Sequence, residues 1–379
     1  MNKSVRVLVS GGGTGGHINP ALAIADKIKK ENPDAVIEYV GTEKGLESTL
    51  VPKSGYKIHF IKVKGFKRKL SLENFDALVK AFTSVSAAKK IIKEFKPDIV
   101  YGTGGYVCWP VLKAAAKMGI PTFVHESNAY PGVTTKMLSK YVDKVLFGFE
   151  ESKKYLDCDK EKMMLVGNPV SDKMLCANKE TAREKLSIPQ NAKMVLSAGG
   201  SLGAAALNKN VYELVKNYTL SAGIYHVHAT GNAGWEEYSA LYKNLGFEEK
   251  ERDVLKKGNV TVCRYIYNMH ELLPASDVAI CRAGAMTLSE LTVLGKAAVI
   301  VPSPYVTNNH QFKNAKVLSD KNAAILIEEK NLEGELLVNA VKSILEDDGK
   351  RKDMENNVRT FAVTDTLYRI YAVIKELVK

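Results

Sequence analysis

Two glycine-rich turns, each set between an apolar run and a helical pattern, constrain this chain more than anything else in it. The first is Gly11-Gly12-Gly13-Thr14-Gly15-Gly16-His17. It follows Val5-Arg6-Val7-Leu8-Val9 and precedes Ala21, Leu22, Ile24, Ala25 and Ile28 at helical spacing. The second is Gly199-Gly200-Ser201-Leu202-Gly203, after Met194-Val195-Leu196 and before Leu207, Val211, Leu214 and Val215. A strand, a glycine turn and a helix make a phosphate cradle, because bare backbone N–H groups and the helix dipole converge on an anion. Two such units predict two nucleotide-binding α/β domains facing each other across a cleft.

Gly11, Gly13 and Gly16 fit G-x-G-x-x-G, which alone is a weak signal. A dehydrogenase wants an acid just after its second strand. Here Val36-Ile37-Glu38-Tyr39-Val40 runs into Gly41-Thr42, and the nearest acid beyond is Glu43. Neither turn ends in Gly-Lys-Ser/Thr, which excludes a P-loop. The glycines could serve helix–strand packing alone, but Thr14 and His17 add chemistry that packing does not need. An unperturbed imidazole near ~6.5 makes His17 a candidate general base. The alternative is a phosphate contact or a helix cap.

The 379 residues suit two domains, each large enough for its own core. No apolar run approaches the ~20 residues of a membrane span. Met1–Ser4 runs straight into a strand pattern, so no secretory leader is expected. The five cysteines are scattered and form no C-x-x-C pair, which favours a reduced protein without structural zinc. Of the net charge of +12, +10 falls in residues 1–165. With no nucleic-acid signature in the chain, that surplus points to an anionic membrane or an acidic substrate.

Strand and helix patterns alternate throughout, as in parallel α/β sheets. Strands are predicted at 5–9, 36–40, 58–63, 98–101, 121–124 and 144–147, then at 194–198, 224–229, 260–264, 278–281, 298–301 and 325–328. Val166-Gly167-Asn168-Pro169-Val170 breaks the pattern, and the polar stretch 171–193 after it reads as an interdomain connection. The boundaries expected are 1–165, 166–351 and a helical stretch 352–379 that packs back on the first domain.

Three further clusters lie at strand ends. Cys281-Arg282-Ala283-Gly284-Ala285-Met286-Thr287-Leu288-Ser289-Glu290 opens a helix after Val278-Ala279-Ile280. Free N–H groups there suit a diphosphate, and Glu290 either accepts ribose hydroxyls or complements the helix dipole. Asn308-Asn309-His310-Gln311 either bonds sugar hydroxyls or is a solvated N-cap. His125-Glu126-Ser127-Asn128 is more polar than a packing loop needs. Asp157-Cys158-Asp159 matches D-x-D but lacks a preceding apolar strand, and is read as coincidence.

Taken together, Gly-Gly-Thr-Gly-Gly-His (12–17), Gly-Gly-Tyr (104–106), His-Glu-Ser-Asn (125–128) and Gly-Asn-Pro (167–169) resemble the MurG family of glycosyltransferases. So do Gly-Gly-Ser-Leu-Gly-Ala (199–204), Cys-Arg-Ala-Gly-Ala-Met-Thr-Leu-Ser-Glu (281–290) and Asn-Asn-His-Gln (308–311), collinear over nearly the whole chain. The resemblance implies the glycosyltransferase-B fold, two Rossmann-like domains with the donor in the C-terminal one and the acceptor in the N-terminal one. It implies inverting transfer of GlcNAc from UDP-GlcNAc to the 4-hydroxyl of lipid I, giving lipid II, with no cofactor and no metal demanded. Carried over by motif, the donor contacts are Thr14, Gly15, Gly16, Asn128, Ser201, Tyr265, Ile266, Ala285, Met286, Thr287, Leu288, Ser289, Glu290 and Gln311. Tyr265 takes the place where an aromatic covers uracil. Some members carry arginine after Gly-Asn-Pro-Val, where this chain has Ser171.

The rival readings are a UDP-GlcNAc 2-epimerase, a lipid glycosyltransferase acting on diacylglycerol, and a non-catalytic nucleotide-sugar sensor. The segment Lys64–Lys93 is expected to seat the protein on the anionic inner face of the cytoplasmic membrane as a peripheral protein. Lys67, Arg68 and Lys69 lead into Leu72, Phe75, Leu78, Val79 and Phe82 on one helical face, a basic rim beside an apolar stripe. Packing of that stripe into the first domain is the alternative.

Overall fold

The computed structural model describes residues 4–63, 73–200 and 203–378, and their side chains apart from 73–82 and 334. Two compact units divide the chain. One holds Met1–Pro169 and Asp365–Lys379, the other Val170–Thr364.

The first unit is built on seven strands: β1 (Arg6–Ser10), β2 (Val36–Gly41), β3 (Lys57–Phe60), β4 (Ile99–Gly102), β5 (Thr122–Glu126), β6 (Lys144–Phe147) and β7 (Met163–Leu165). Their order is β3-β2-β1-β4-β5-β6-β7, and every pairing is parallel. A strand buried on both faces must be apolar throughout, and β1 serves two cores. Val7 and Val9 join Tyr101, Phe123 and the helix Gly15–Glu31 on one side. Leu8 joins Val100, Val124 and the helices Glu73–Phe95 and Cys108–Lys117 on the other.

The second unit holds β8 (Met194–Ala198), β9 (Tyr225–Ala229), β10 (Glu248–Glu251), β11 (Val254–Lys257), β12 (Val260–Cys263), β13 (Val278–Cys281), β14 (Ala297–Ile300) and β15 (Ile325–Leu326). Their order is β10-β11-β12-β9-β8-β13-β14-β15. Only the β10-β11-β12 pairings are antiparallel. Setting that hairpin aside, each unit follows the doubly wound 3-2-1-4-5-6 order, in which the first strand is flanked by the second and the fourth.

The twelve strands read from sequence are all present. β7, β10 and β11 were not foreseen. β7, Met163-Met164-Leu165, is an apolar edge of only three residues, too short to stand out as a run, and Glu248–Glu251 is charged and exposed at every position. β7 also moves the boundary. Val166 and Gly167 donate to Phe147 O at 3.1 and 3.2 Å, which keeps the Gly-Asn-Pro stretch in the first unit. The terminal stretch expected as one helix is two. Asp348–Arg359 sets Met354 in the core of the second unit, and Thr366–Leu377 sets Ile370 and Ile374 in that of the first.

Candidate active site

In a doubly wound sheet the strand order reverses beside the first strand, and ligands bind beyond the carboxyl ends there. In the first unit that point lies between β1 and β4. The turns after these two strands meet: Gly12 N–H reaches Gly104 O at 3.4 Å, and a Cβ on Gly105 would collide with Gly12 O. His17 is locked into the junction. Its Nδ1 donates to Thr103 O at 3.0 Å, and Thr103 Oγ1 donates to His17 O at 2.6 Å. A carbonyl only accepts, so the neutral ring carries its proton on Nδ1 and its lone pair on Nε2. The helix begins on Thr14 with no acid in its first turn, and the Gly15 and Gly16 N–H groups have no partner among the described residues.

The His-Glu-Ser-Asn loop after β5 is a closed network. Buried Glu126 accepts from Asn128 N and Nδ2, both at 3.0 Å, and from Gly132 N and Thr135 Oγ1 at 2.9 and 2.7 Å. His125 Nε2 donates to Gly167 O at 2.9 Å, and burial pushes its pKa down, so it stays neutral. This His–Gly bond ties the loop to the Gly-Asn-Pro stretch. Ser171 caps a short helix, its hydroxyl accepting from Met174 N at 3.4 Å. Asp157 of the D-x-D pairs with Lys140 at 2.8 Å.

In the second unit a cavity of about 790 Å³ opens beyond β8 and β13, at the equivalent reversal point. One wall is Ala198, Gly199 and Gly200; another is the helix Ala285–Leu294, which starts on Gly284. The N–H groups of Ala285, Met286 and Thr287 have no partner among the described residues, and no acid lies in the first turn. Glu290 faces the cavity from the second turn, too far in to serve as a dipole complement. Burial pushes its carboxyl up to about 7, and no donor among the described residues relieves it. Gln311 Oε1 accepts from Ser303 N at 2.8 Å, which directs its two amide N–H donors away from that bond. Left-handed Asn308 and Asn309, with φ of 56° and 52°, turn the chain into the helix that carries Gln311.

Of the residues expected from sequence, Thr287, Glu290 and Gln311 share this cavity. Ala285 and Met286 open the helix between the lining residues Gly284 and Thr287. Leu288 is fully buried, and Ser289 Oγ donates back to Ala285 O at 3.0 Å, so neither presents a side chain. Ile266 is buried, while Tyr265 is exposed with its ring against Tyr267 (centroids 4.9 Å apart). Thr14, Gly15, Gly16, His17 and Asn128 belong to the other unit. Ser201, Lys67, Arg68, Lys69 and Leu72 lie outside the described residues, as do the side chains of Phe75, Leu78, Val79 and Phe82. The Arg282–Glu329 ion pair and Tyr305, which also line the cavity, were not singled out. Arg282 sat inside a motif, but nothing local marks Glu329.

Residues 7–147 match the glycosyltransferase family 28 N-terminal domain, and residues 194–370 its C-terminal domain. A protein of Acetivibrio thermocellus, UDP-N-acetylglucosamine--N-acetylmuramyl-(pentapeptide) pyrophosphoryl-undecaprenol N-acetylglucosamine transferase, is 46% identical over 375 residues, 99% of each chain. Among solved structures, MurG of Acinetobacter baumannii aligns with a TM-score of 0.78 at 28% identity, over 98% of this chain and 99% of that one. A Neisseria meningitidis UDP-GlcNAc 2-epimerase bound to UDP-GlcNAc shares the fold, with a TM-score of 0.65 at 15% identity over 99% and 100%. The chain has the glycosyltransferase-B fold and belongs to glycosyltransferase family 28, within it to the MurG family.

Proposed function

We propose that this protein transfers GlcNAc from UDP-GlcNAc to the 4-hydroxyl of MurNAc in lipid I, with inversion, to give lipid II for peptidoglycan. The observation that carries the reading is the cavity of the second unit: helix N–H groups for a diphosphate beside a carboxyl for ribose hydroxyls, none of them with a partner among the described residues. The acceptor oxygen attacks C1 of the sugar from the face opposite UDP. The C1–O bond to the β-phosphate breaks, and the hydroxyl proton passes to His17 Nε2. Charge developing on UDP is met by the N–H groups of Ala285, Met286 and Thr287, already oriented. Gln311 holds sugar hydroxyls, and the Gly15 and Gly16 N–H groups add donors at the reacting end.

The lipid acceptor favours work at the anionic inner face of the cytoplasmic membrane, as a peripheral protein. Among the described residues no helix is long and apolar enough to cross a membrane. Apart from segment 64–93, much of which lies outside the described residues, the first unit exposes Val133, Met137 and Tyr141. Lys113 Nζ sits 3.0 Å from the Tyr141 ring centroid, and Lys136 Nζ 3.9 Å from that of Tyr130. Aromatics under lysines suit a headgroup boundary.

Acceptor dependence tests the transfer. UDP-GlcNAc incubated with the protein should release UDP only when lipid I is present. Conversion of UDP-GlcNAc to its 2-epimer without acceptor would establish the isomerase instead.

A further inference from the structure

Glu47 is completely buried, yet no core needs a carboxylate. It stands at the start of the helix Glu47–Lys53, just beyond β2, and its two oxygens reach different pieces of chain. Oε1 accepts from Thr42 N at 3.1 Å and Thr42 Oγ1 at 2.7 Å; Oε2 accepts from Gly13 N at 3.0 Å. All three partners donate, which only an acceptor-only carboxylate satisfies. The space is shaped for it. A Cβ on Gly12 would lie 2.6 Å from Glu47 Oε1, and one on Gly41 would lie 2.6 Å from Glu47 Cγ. Tyr39, two residues before Gly41 on β2, donates to Gly11 O at 2.6 Å and completes the grip on the turn.

In dinucleotide-binding domains an acid at the end of the second strand reads a ribose. The acid at that edge here faces inward, and its ligand is the chain itself. It occupies the Gly13 N–H, so the N–H groups the turn presents begin beyond Gly13. It also fixes the turn that ends in His17. We infer that Glu47 is a positioning residue for the transfer reaction: its carboxylate sets the shape of the Gly11–Gly16 turn and so the aim of His17 and of the Gly15 and Gly16 N–H groups.

The inference rests on the assignment of His17 as base, and the test separates the two. Glu47→Gln keeps an oxygen for Thr42 but turns an amide N–H toward Gly13 N–H, donor against donor. Steady-state kinetics of Glu47→Gln and His17→Ala should be measured beside UDP-GlcNAc calorimetry and thermal melts. For Glu47→Gln, kcat should fall about tenfold or more, with both KM values and UDP-GlcNAc affinity within about threefold of wild type. A general loss of structure would raise the acceptor KM as well, and would overturn the inference. So would wild-type kcat in Glu47→Gln when His17→Ala is inactive. Wild-type turnover in His17→Ala would overturn the base assignment instead. If Glu47→Gln does not fold, Thr42→Val decides: it removes one of the three bonds, and kcat should fall about threefold, an unchanged kcat being the contrary result.

Discussion

A cavity-lining carboxyl whose pKa burial lifts toward neutrality is poised to respond to a ligand. Burial raises Glu290 to about 7 from an ordinary 4.5, so below that pH the fold favours its protonated form. Because the folded value is raised, Glu290 lowers stability as pH climbs from the unfolded value through about 7. Ribose hydroxyls donate to the ionised form, so binding should release a proton and strengthen as pH rises from 6 to 8. UDP-GlcNAc is the ligand to use, since its diphosphate diester does not titrate there. Glu290→Gln should bind with flat pH dependence, and Glu290→Ala about ten- to a hundred-fold more weakly than wild type at pH 8. Calorimetry at three pH values checks this; equal affinities would remove Glu290 from the donor site. Glu290 and Gln311 were picked out in the sequence because each lies in a polar cluster that follows an apolar strand, with dipole complement and solvated N-cap left open as alternatives. Glu47 was not. An acid after β2 was weighed only as the mark of a dehydrogenase, at the strand end, and only the folded chain shows a glutamate six residues beyond Gly41 turning back beneath the first turn.

At the scale of elements, the helix that carries Glu290 ends on left-handed Gly295 and is tied down by its neighbour Lys296. That lysine is buried and donates to Pro274 O at 2.9 Å and to Ser276 O, capping the helix Met269–Ala275. Lys179, Asp277, Glu355 and Arg183 are the charges around it, and burial pushes it down to about 7. The unfolded chain keeps its proton up to about 10.5, so stability should rise with pH between about 7 and 10.5. Lys296→Met should flatten the rise in melting temperature between pH 7 and 9.5; parallel curves would show that the lysine does not govern it. Strands buried on both faces, such as β1 and β13, announced themselves as short apolar runs. The β10-β11 hairpin did not: Glu248-Glu249-Lys250-Glu251 is charged throughout, and pairing with a neighbour makes it a strand. The terminal stretch read as one helix because its apolar spacing continues across 360–365. Its two halves answer to different cores.

Across the whole molecule, the positive charge concentrated in residues 1–165 supports the proposal that the first unit meets an anionic surface. Each lysine or arginine near such a surface contributes about 1 kcal/mol. Phe75→Ser combined with Lys67, Arg68 and Lys69→Ala should still bind UDP-GlcNAc but no longer sediment with anionic vesicles. Wild-type sedimentation would remove segment 64–93 from the membrane contact. The fold, the two turns and the donor motifs were legible along the chain because each is local. The imidazole tautomer was not, since it depends on Thr103, far away in sequence. On the proposed mechanism that tautomer suits His17 to take the proton while the second unit binds the donor. The direct measurement is transfer of labelled GlcNAc from UDP-GlcNAc into the lipid fraction by His17→Ala, with donor affinity determined on the same preparation. The expected result is kcat lower by about 10²–10⁴ with donor affinity unchanged. A variant that labels lipid within about threefold of the wild-type rate would contradict it.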